Sequence, residues 1–203
     1  MLAVLAVSDK RDIGRLAGGL LGLGWEVVAT DGTRQAIGRA GHAIGSIADL
    51  AGVPTLLGGR VKALTVSVMA GILATDTASD VAELRQYNIR RVSLVCCNFV
   101  PVPESVPDAG RLWGSVDIGG PTMLRAAAKN CAHVIPLADP GDYRDVLAAL
   151  ADGDGTAASV PLDYRITLAA KAFLLSSEYD QQVSTRFNAL RGPGAGPPVS
   201  SQR

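Results

Sequence analysis

Lysine is scarce in this chain. Of 19 basic residues, fifteen are arginine, and only Lys10, Lys62, Lys129 and Lys171 are lysine. Where arginine has taken most cationic positions, the remaining lysines are candidates for places that need a compact ammonium of tunable pKa. Histidine is scarcer still. His42 and His133 are the two present, and they leave no plausible Ser–His–Asp arrangement. His42 reads as a surface or strand-end residue. Three cysteines, Cys96, Cys97 and Cys131, are odd in number and lack the paired spacing of a metal site. They read as reduced core thiols of a cytoplasmic protein. No apolar run reaches the roughly 18 residues that a membrane-spanning helix needs. The apolar start, residues 1–7, has neither a basic lead nor a cleavage site, so it reads as a buried strand and not as a secretion signal. Nineteen acidic residues balance the nineteen basic ones with no basic run, which gives no reason to expect a nucleic-acid partner. There is no internal repeat.

What is present is a globular composition: 203 residues, 48% hydrophobic and 19% charged, enough for one domain with a sizeable core. The domain is expected over residues 1–190. The Gly/Pro/Ser-rich residues 191–203 read as a disordered tail. Strands are expected at residues 2–7, 25–30, 42–47, 91–97 and 133–137, because short continuous apolar runs suit parallel strands buried on both faces. Helices are expected at 13–23, capped by Ser8 and Asp9, then up to residue 40, over 78–87, from Asp139-Pro140 to about 150, and over 162–190. A Gly/Asp/Ala linker is expected at 151–158. This alternation predicts an α/β fold: an open, mostly parallel sheet of four to six strands with helices on both faces.

Two stretches carry chemistry. Residues 117–130 read Asp-Ile-Gly-Gly-Pro-Thr-Met-Leu-Arg-Ala-Ala-Ala-Lys-Asn. A glycine turn opens a strong helix, with Pro121 expected at the first helical position. Adjacent glycines at a helix start let a ligand approach free N–H groups. Asp117 before the turn and Lys129 within the helix are expected to flank one pocket. Farther back, Ser8-Asp9-Lys10 and Thr30-Asp31-Gly32-Thr33 each place a turn between a strand and a helix, where free N–H groups, joined by the Lys10 ammonium, favour a phosphate.

The run from Asp117 to Asn130 matches, at every position, a signature of the inosinate (IMP) cyclohydrolase domain of the bifunctional purine-biosynthesis enzyme. Val7-Ser8-Asp9-Lys10 resembles that family's VSDK. Gly58-Gly59-Arg60-Val61-Lys62-Ala63-Leu64 resembles DGRVKTL, and Leu168-Ala169-Ala170-Lys171-Ala172-Phe173 with Tyr179-Asp180 resembles LAAKAF and YD. The resemblance implies a methylglyoxal-synthase-like fold, a homodimer, a nucleotide substrate and no metal or organic cofactor. It implies an intramolecular ring closure: an amide nitrogen attacks a formyl carbon and water leaves, with a separate enzyme supplying the formyl group upstream. Lys129 would shuttle protons with Asp117 as relay, Lys62 would orient the formyl group, and N–H groups near Gly119 and Gly120 would meet the oxyanion. Ser8, Asp9, Lys10, Thr30, Asp31, Gly32, Thr33, Arg60, Ala63, Cys97, Asn98, Ile118 and Gly119 would bind substrate.

The chain also departs from the family pattern. Asp31 stands where the family has glycine, Thr65 and Met69 replace two histidines, and Val100 replaces a tyrosine. The family continues into a transformylase domain where this chain stops. Together these point to a substrate shifted from the housekeeping one, such as a precursor of a nucleoside-type natural product. Two other readings compete: a non-catalytic nucleotide-binding regulatory domain of the same fold, and a methylglyoxal synthase, which fits the motifs less well.

Overall fold

Short strands carry the fold: β1 (Leu2–Ala6), β2 (Glu26–Ala29), β3 (Gly45–Ser46), β4 (Leu94–Cys97) and β5 (Ile135–Leu137). The computed structural model describes residues 1–54, 56–61, 63–103 and 109–191. Among these, the strands pair in the order β3-β2-β1-β4-β5, every pair parallel. Side chains alternate across the sheet as the two-residue period requires. Leu2, Val4, Val28, Val95 and Cys97 enter one core. Ala3, Leu5, Val27, Ala29, Leu94 and Cys96 enter the other. Both faces are therefore buried, and this is why the strands read as unbroken apolar runs.

Helices cover both faces. On one lie α1 (Ile13–Gly22), α2 (Asp31–Arg39) and α8 (Tyr143–Asp152), through Leu16, Leu20, Ile37, Val146 and Leu150. On the other lie α3 (Ile47–Ala51), α4 (Val66–Leu73), α6 (Ala109–Ser115), α7 (Gly119–Lys129) and α9 (Leu162–Ala189). The remaining helix, α5 (Ala78–Gln86), has no buried residue. Helix α7 is the central one. Met123, Leu124, Ala127 and Ala128 are buried on it, and its small alanines let α9 pack close. Its C-terminal end is tied at two points. Asn130 Nδ2 donates to the carbonyls of Ile72 (2.8 Å) and Ala74 (2.9 Å) at the C-terminal end of α4. The buried Arg165 of α9 donates to the carbonyls of Cys131 and Val160. No helix among the described residues is long and apolar enough to cross a membrane.

Several expectations need correction. Helix α1 does not start behind a Ser8–Asp9 cap. Its N-cap is Asp12, in the left-handed region (φ 54°), with no side-chain cap bond. Strand β3 is two residues long, not six. Residues 109–115, left without an element in the sequence reading, form α6. The expected linker is partly helical: α8 runs to Asp152, and Ala157–Ser159 is a 3-10 turn. Pro121 is the third residue of α7, not the first. Its missing N–H still falls in the first turn, where no intrahelical acceptor exists. The tail beyond residue 191 lies outside the described residues.

From β1 the chain moves outward to β2, and from β4 it moves the opposite way to β5. A crevice therefore opens between the C-terminal ends of β1 and β4, the place where ligands bind in open α/β sheets.

Candidate active site

Asn98, immediately after β4, reaches across that crevice. Its Oδ1 accepts from the N–H groups of Ser8 (2.7 Å) and Asp9 (2.8 Å). These two N–H groups, expected to be free for a phosphate, are therefore taken by a side chain from the neighbouring strand. The Asn98 Nδ2 is buried with no partner among the described residues, a donor that a ligand can satisfy. A cavity of about 570 Å³ lies on the β2 side of this bridge, within the range of roughly 300–1,000 Å³ for small-molecule sites.

One end of the cavity is cationic and hydroxylic. Thr33, fully buried in the first turn of α2, accepts from the Val7 N–H at 3.1 Å. Thr30 Oγ1 and Lys10 Nζ approach the same hydroxyl at 3.2 and 3.3 Å. Lys10 Nζ also donates to the Val7 carbonyl. Burial of the ammonium lowers the Lys10 pKa, while the Asp9 carboxylate acts in the opposite direction. An ammonium beside two hydroxyls at a helix start has the chemistry to favour an anion. Gly32 lines this end of the cavity; Asp31 does not. Asp31 lines a separate recess with Arg34 and His42, so its carboxylate stands off this end. Asp9 is engaged outside the cavity by Arg11, whose Nε donates to it at 2.8 Å.

The other end is built on the start of α7. Asp117 Oδ1 accepts from the Gly120 N–H at 2.9 Å, and the Asp117 N–H donates to Tyr179 Oη at 2.7 Å. Gly120 is required here: a Cβ would stand 2.8 Å from Asp117 Oδ2 and 3.1 Å from Cys97 Sγ. The Gly120 N–H, expected to meet an oxyanion, is occupied by Asp117. Cys97 lies beneath, fully buried, and burial pushes its thiol well above the ordinary range, with the Asp117 carboxylate acting the same way. It lies behind the cavity lining and not in it, a buried thiol and not a nucleophile. Tyr179 comes from α9, 62 residues away, packed edge-on against Phe99 at 5.1 Å. Burial raises its pKa. No local pattern in the sequence marks Tyr179 as a support for Asp117.

Arg60, Ala63, Ile118 and Gly119 also line the cavity. The Arg60 Nε donates to the Leu57 carbonyl at 2.8 Å. Lys62 lies outside the described residues. Lys129 is exposed at the C-terminal end of α7, about 15 Å along the axis from Gly119 at 1.5 Å per residue. It does not line the cavity of its own chain. A second cavity of about 620 Å³ lies on the β5 side of Asn98, with Phe99, Lys171, Leu174 and Tyr179 in its wall. It holds neither Asp117 nor the threonine pair, so the chemistry is assigned to the first.

An open parallel sheet in this strand order, with helices on both faces, defines a methylglyoxal-synthase-like domain. The solved structure of ForH superposes on it with a TM-score of 0.87 and 58% identity, covering 92% of this chain and 98% of that one. The bifunctional purine biosynthesis protein PurH of Mesorhizobium japonicum is 41% identical over 189 residues, 91% of this chain and 35% of the relative. PurH of Synechocystis is 37% identical over 200 residues, 96% of this chain and 38% of the relative. The chain thus spans a little over a third of the length of these curated relatives. The family model for the AICARFT/IMPCHase bienzyme matches residues 127–200. The chain belongs to this family, as an IMP-cyclohydrolase-like member.

Proposed function

We propose that the protein closes a ring on a purine-type nucleotide by intramolecular attack of an amide nitrogen on a formyl carbon, with loss of water. The observation that carries this reading is the pairing, in one cavity, of the Lys10–Thr30–Thr33 anion site with the Asp117 carboxylate fixed on α7. The phosphate sits at the first end. The heterocycle extends toward Asp117 and the Asn98 Nδ2. As the carbon–nitrogen bond forms, Asp117 accepts one amide proton and the formyl oxygen becomes an oxyanion. Asp117 returns that proton to the oxygen. The carbon–oxygen bond then breaks as the formamide nitrogen gives up its own proton and forms the ring carbon–nitrogen double bond, so that water leaves. A general base of this kind contributes roughly 10²- to 10⁴-fold.

Lys62 keeps the role of orienting the formyl group, and Lys129 the proton-shuttling role, that the motif match implies. For Lys129, a homodimer offers the route, since its ammonium stands outside its own cavity. The reading also places the protein in the cytoplasm, downstream of an enzyme that transfers the formyl group. Val100, in the cavity wall where the family pattern has tyrosine, supports a substrate shifted from the housekeeping nucleotide, as in nucleoside natural product synthesis.

The test is incubation with the formylated aminoimidazole carboxamide ribonucleotide while the absorbance of inosinate is followed. Turnover supports ring closure on purine nucleotides. Tight binding without turnover replaces it with the nucleotide-binding regulatory reading. No binding at all moves the substrate outside the purine ribonucleotides.

A further inference from the structure

Tryptophan is rare in this chain, and its two copies are placed in opposite ways. Trp25 is buried, 3% exposed, with its indole N–H donating to the Gly155 carbonyl at 2.8 Å. Trp113 is 63% exposed, yet it lines the cavity that holds Asp117 and Lys10. Two further large apolar side chains in the same wall are open to solvent, Val100 at 48% and Ile118 at 59%. They come from three separate segments: the exit of β4, helix α6 and the approach to α7. An apolar rim of this kind leaves unfavourable surface in water unless something covers it.

The position of Trp113 is set by the short helix that carries it. Leu112, fully buried, anchors α6 to the core. Successive helical residues point about 100° apart, so Trp113 is turned away from the core, and it borders the cavity. Ser115 Oγ donates to the Leu112 carbonyl at 2.9 Å and closes the helix just behind it. The polar groups of the cavity, Lys10 with the threonines and Asp117 with Gly120, account for a phosphate and a reacting amide. They leave the flat face of a heterocycle without a partner.

We propose that the Trp113 indole is the platform on which the substrate's heterocycle stacks, with Val100 and Ile118 completing an apolar clamp that selects planar, weakly polar rings. The inference rests on the nucleotide reading above and specifies which side chain recognises the base. Stacking is tolerant of ring type because every heterocycle has a π-face. The clamp therefore admits a base whose edge toward Val100 bears no hydrogen-bonding group, since valine can neither donate nor accept. Because the ring is held similarly before and during ring closure, the platform acts on KM more than on kcat.

Tryptophan emission reads this directly, because the buried Trp25 and the exposed Trp113 differ in environment. In the full chain titrated with inosine monophosphate, the exposed emission is expected to be quenched as the site fills, and ribose 5-phosphate should bind without the change. Trp113→Phe removes the signal while keeping a smaller ring. Trp113→Ala raises the Kd for the nucleotide roughly 5- to 100-fold, with less effect on ribose 5-phosphate. Failure of the wild-type protein to bind either compound overturns the inference together with the nucleotide reading. Nucleotide binding with unchanged emission, or with equal affinity in folded Trp113→Ala, overturns the inference alone. Emission that is already buried-like in the free protein places the indole under another protein surface and overturns it as well.

Discussion

Asp117 is held at two atoms by two different elements, and each bond has its own consequence. Its carboxylate is fixed by the Gly120 N–H of α7, and its backbone N–H by Tyr179 of α9. Asp117→Asn keeps an oxygen for the Gly120 N–H and loses the base. The expected outcome is a roughly 10²- to 10⁴-fold fall in kcat at an unchanged urea midpoint. Tyr179→Phe leaves the carboxylate in place but strips its backbone of a partner. An N–H left unsatisfied in a part-buried setting costs about 1–3 kcal/mol, so the urea midpoint should fall. Loosening of the carboxylate should lower kcat roughly 10- to 100-fold, the scale of a misplaced reacting group. Urea titration and steady-state rates on both variants separate the two roles. Equal loss of stability in both would mean that Asp117 is chiefly a structural cap.

At the level of elements, the seating of α4 shows how closely the helices meet the sheet. A Cβ on Gly71 would lie 2.4 Å from the Arg90 carbonyl oxygen, and the Gly71 carbonyl itself accepts from the Val92 N–H at 2.9 Å. The obstacle is backbone, which cannot swing aside. Gly71→Ala should therefore destabilise by roughly 1–3 kcal/mol, as overpacking does, with a lower urea midpoint and an unchanged slope. A midpoint equal to wild type would show that α4 can slide freely. Elements were readable where the pattern is local, and α4 was not among those expected. Strands β1, β2, β4 and β5 stood out because burial on both faces makes each an apolar run. The extent of β3 did not, because two paired residues carry no period. Helix α6 was missed because its single buried residue, Leu112, gives no amphipathic stripe. The start of α1 at Ile13 was legible, but its cap was misassigned, because the Ser8 and Asp9 N–H groups find their partner in Asn98, some 90 residues on, a contact no local capping pattern announces. The site divides the same way. The grouping of Lys10 with Thr30 and Thr33 draws on two contiguous strand–helix turns and was legible. The support of Asp117 by Tyr179 and the exposure of Trp113 depend on tertiary placement and were not.

At the level of the whole molecule, the proton-transfer role proposed for Lys129 sets a geometric requirement. This lysine shares α7 with Gly119 and Gly120, but the helix carries it about 15 Å from the turn, to an exposed position away from its own cavity. A homodimer would resolve this if each copy presents Lys129 to the site of the other, as isologous contacts permit. The arrangement has a signature that no single-chain site can reproduce. Lys129→Ala and Asp117→Asn should each be nearly inactive alone. In a mixed dimer made by co-expression, one site carries both substitutions and the other carries neither. Random pairing then restores about a quarter of wild-type turnover, because half the dimers are mixed and each has one intact site. Sedimentation of the mixture should show dimers throughout. If Lys129 works within its own chain, both sites of every mixed dimer are defective and mixing restores nothing. If Lys129→Ala turns over at the wild-type rate, the lysine is a solvated helix end, and proton transfer falls to Asp117 and Lys62.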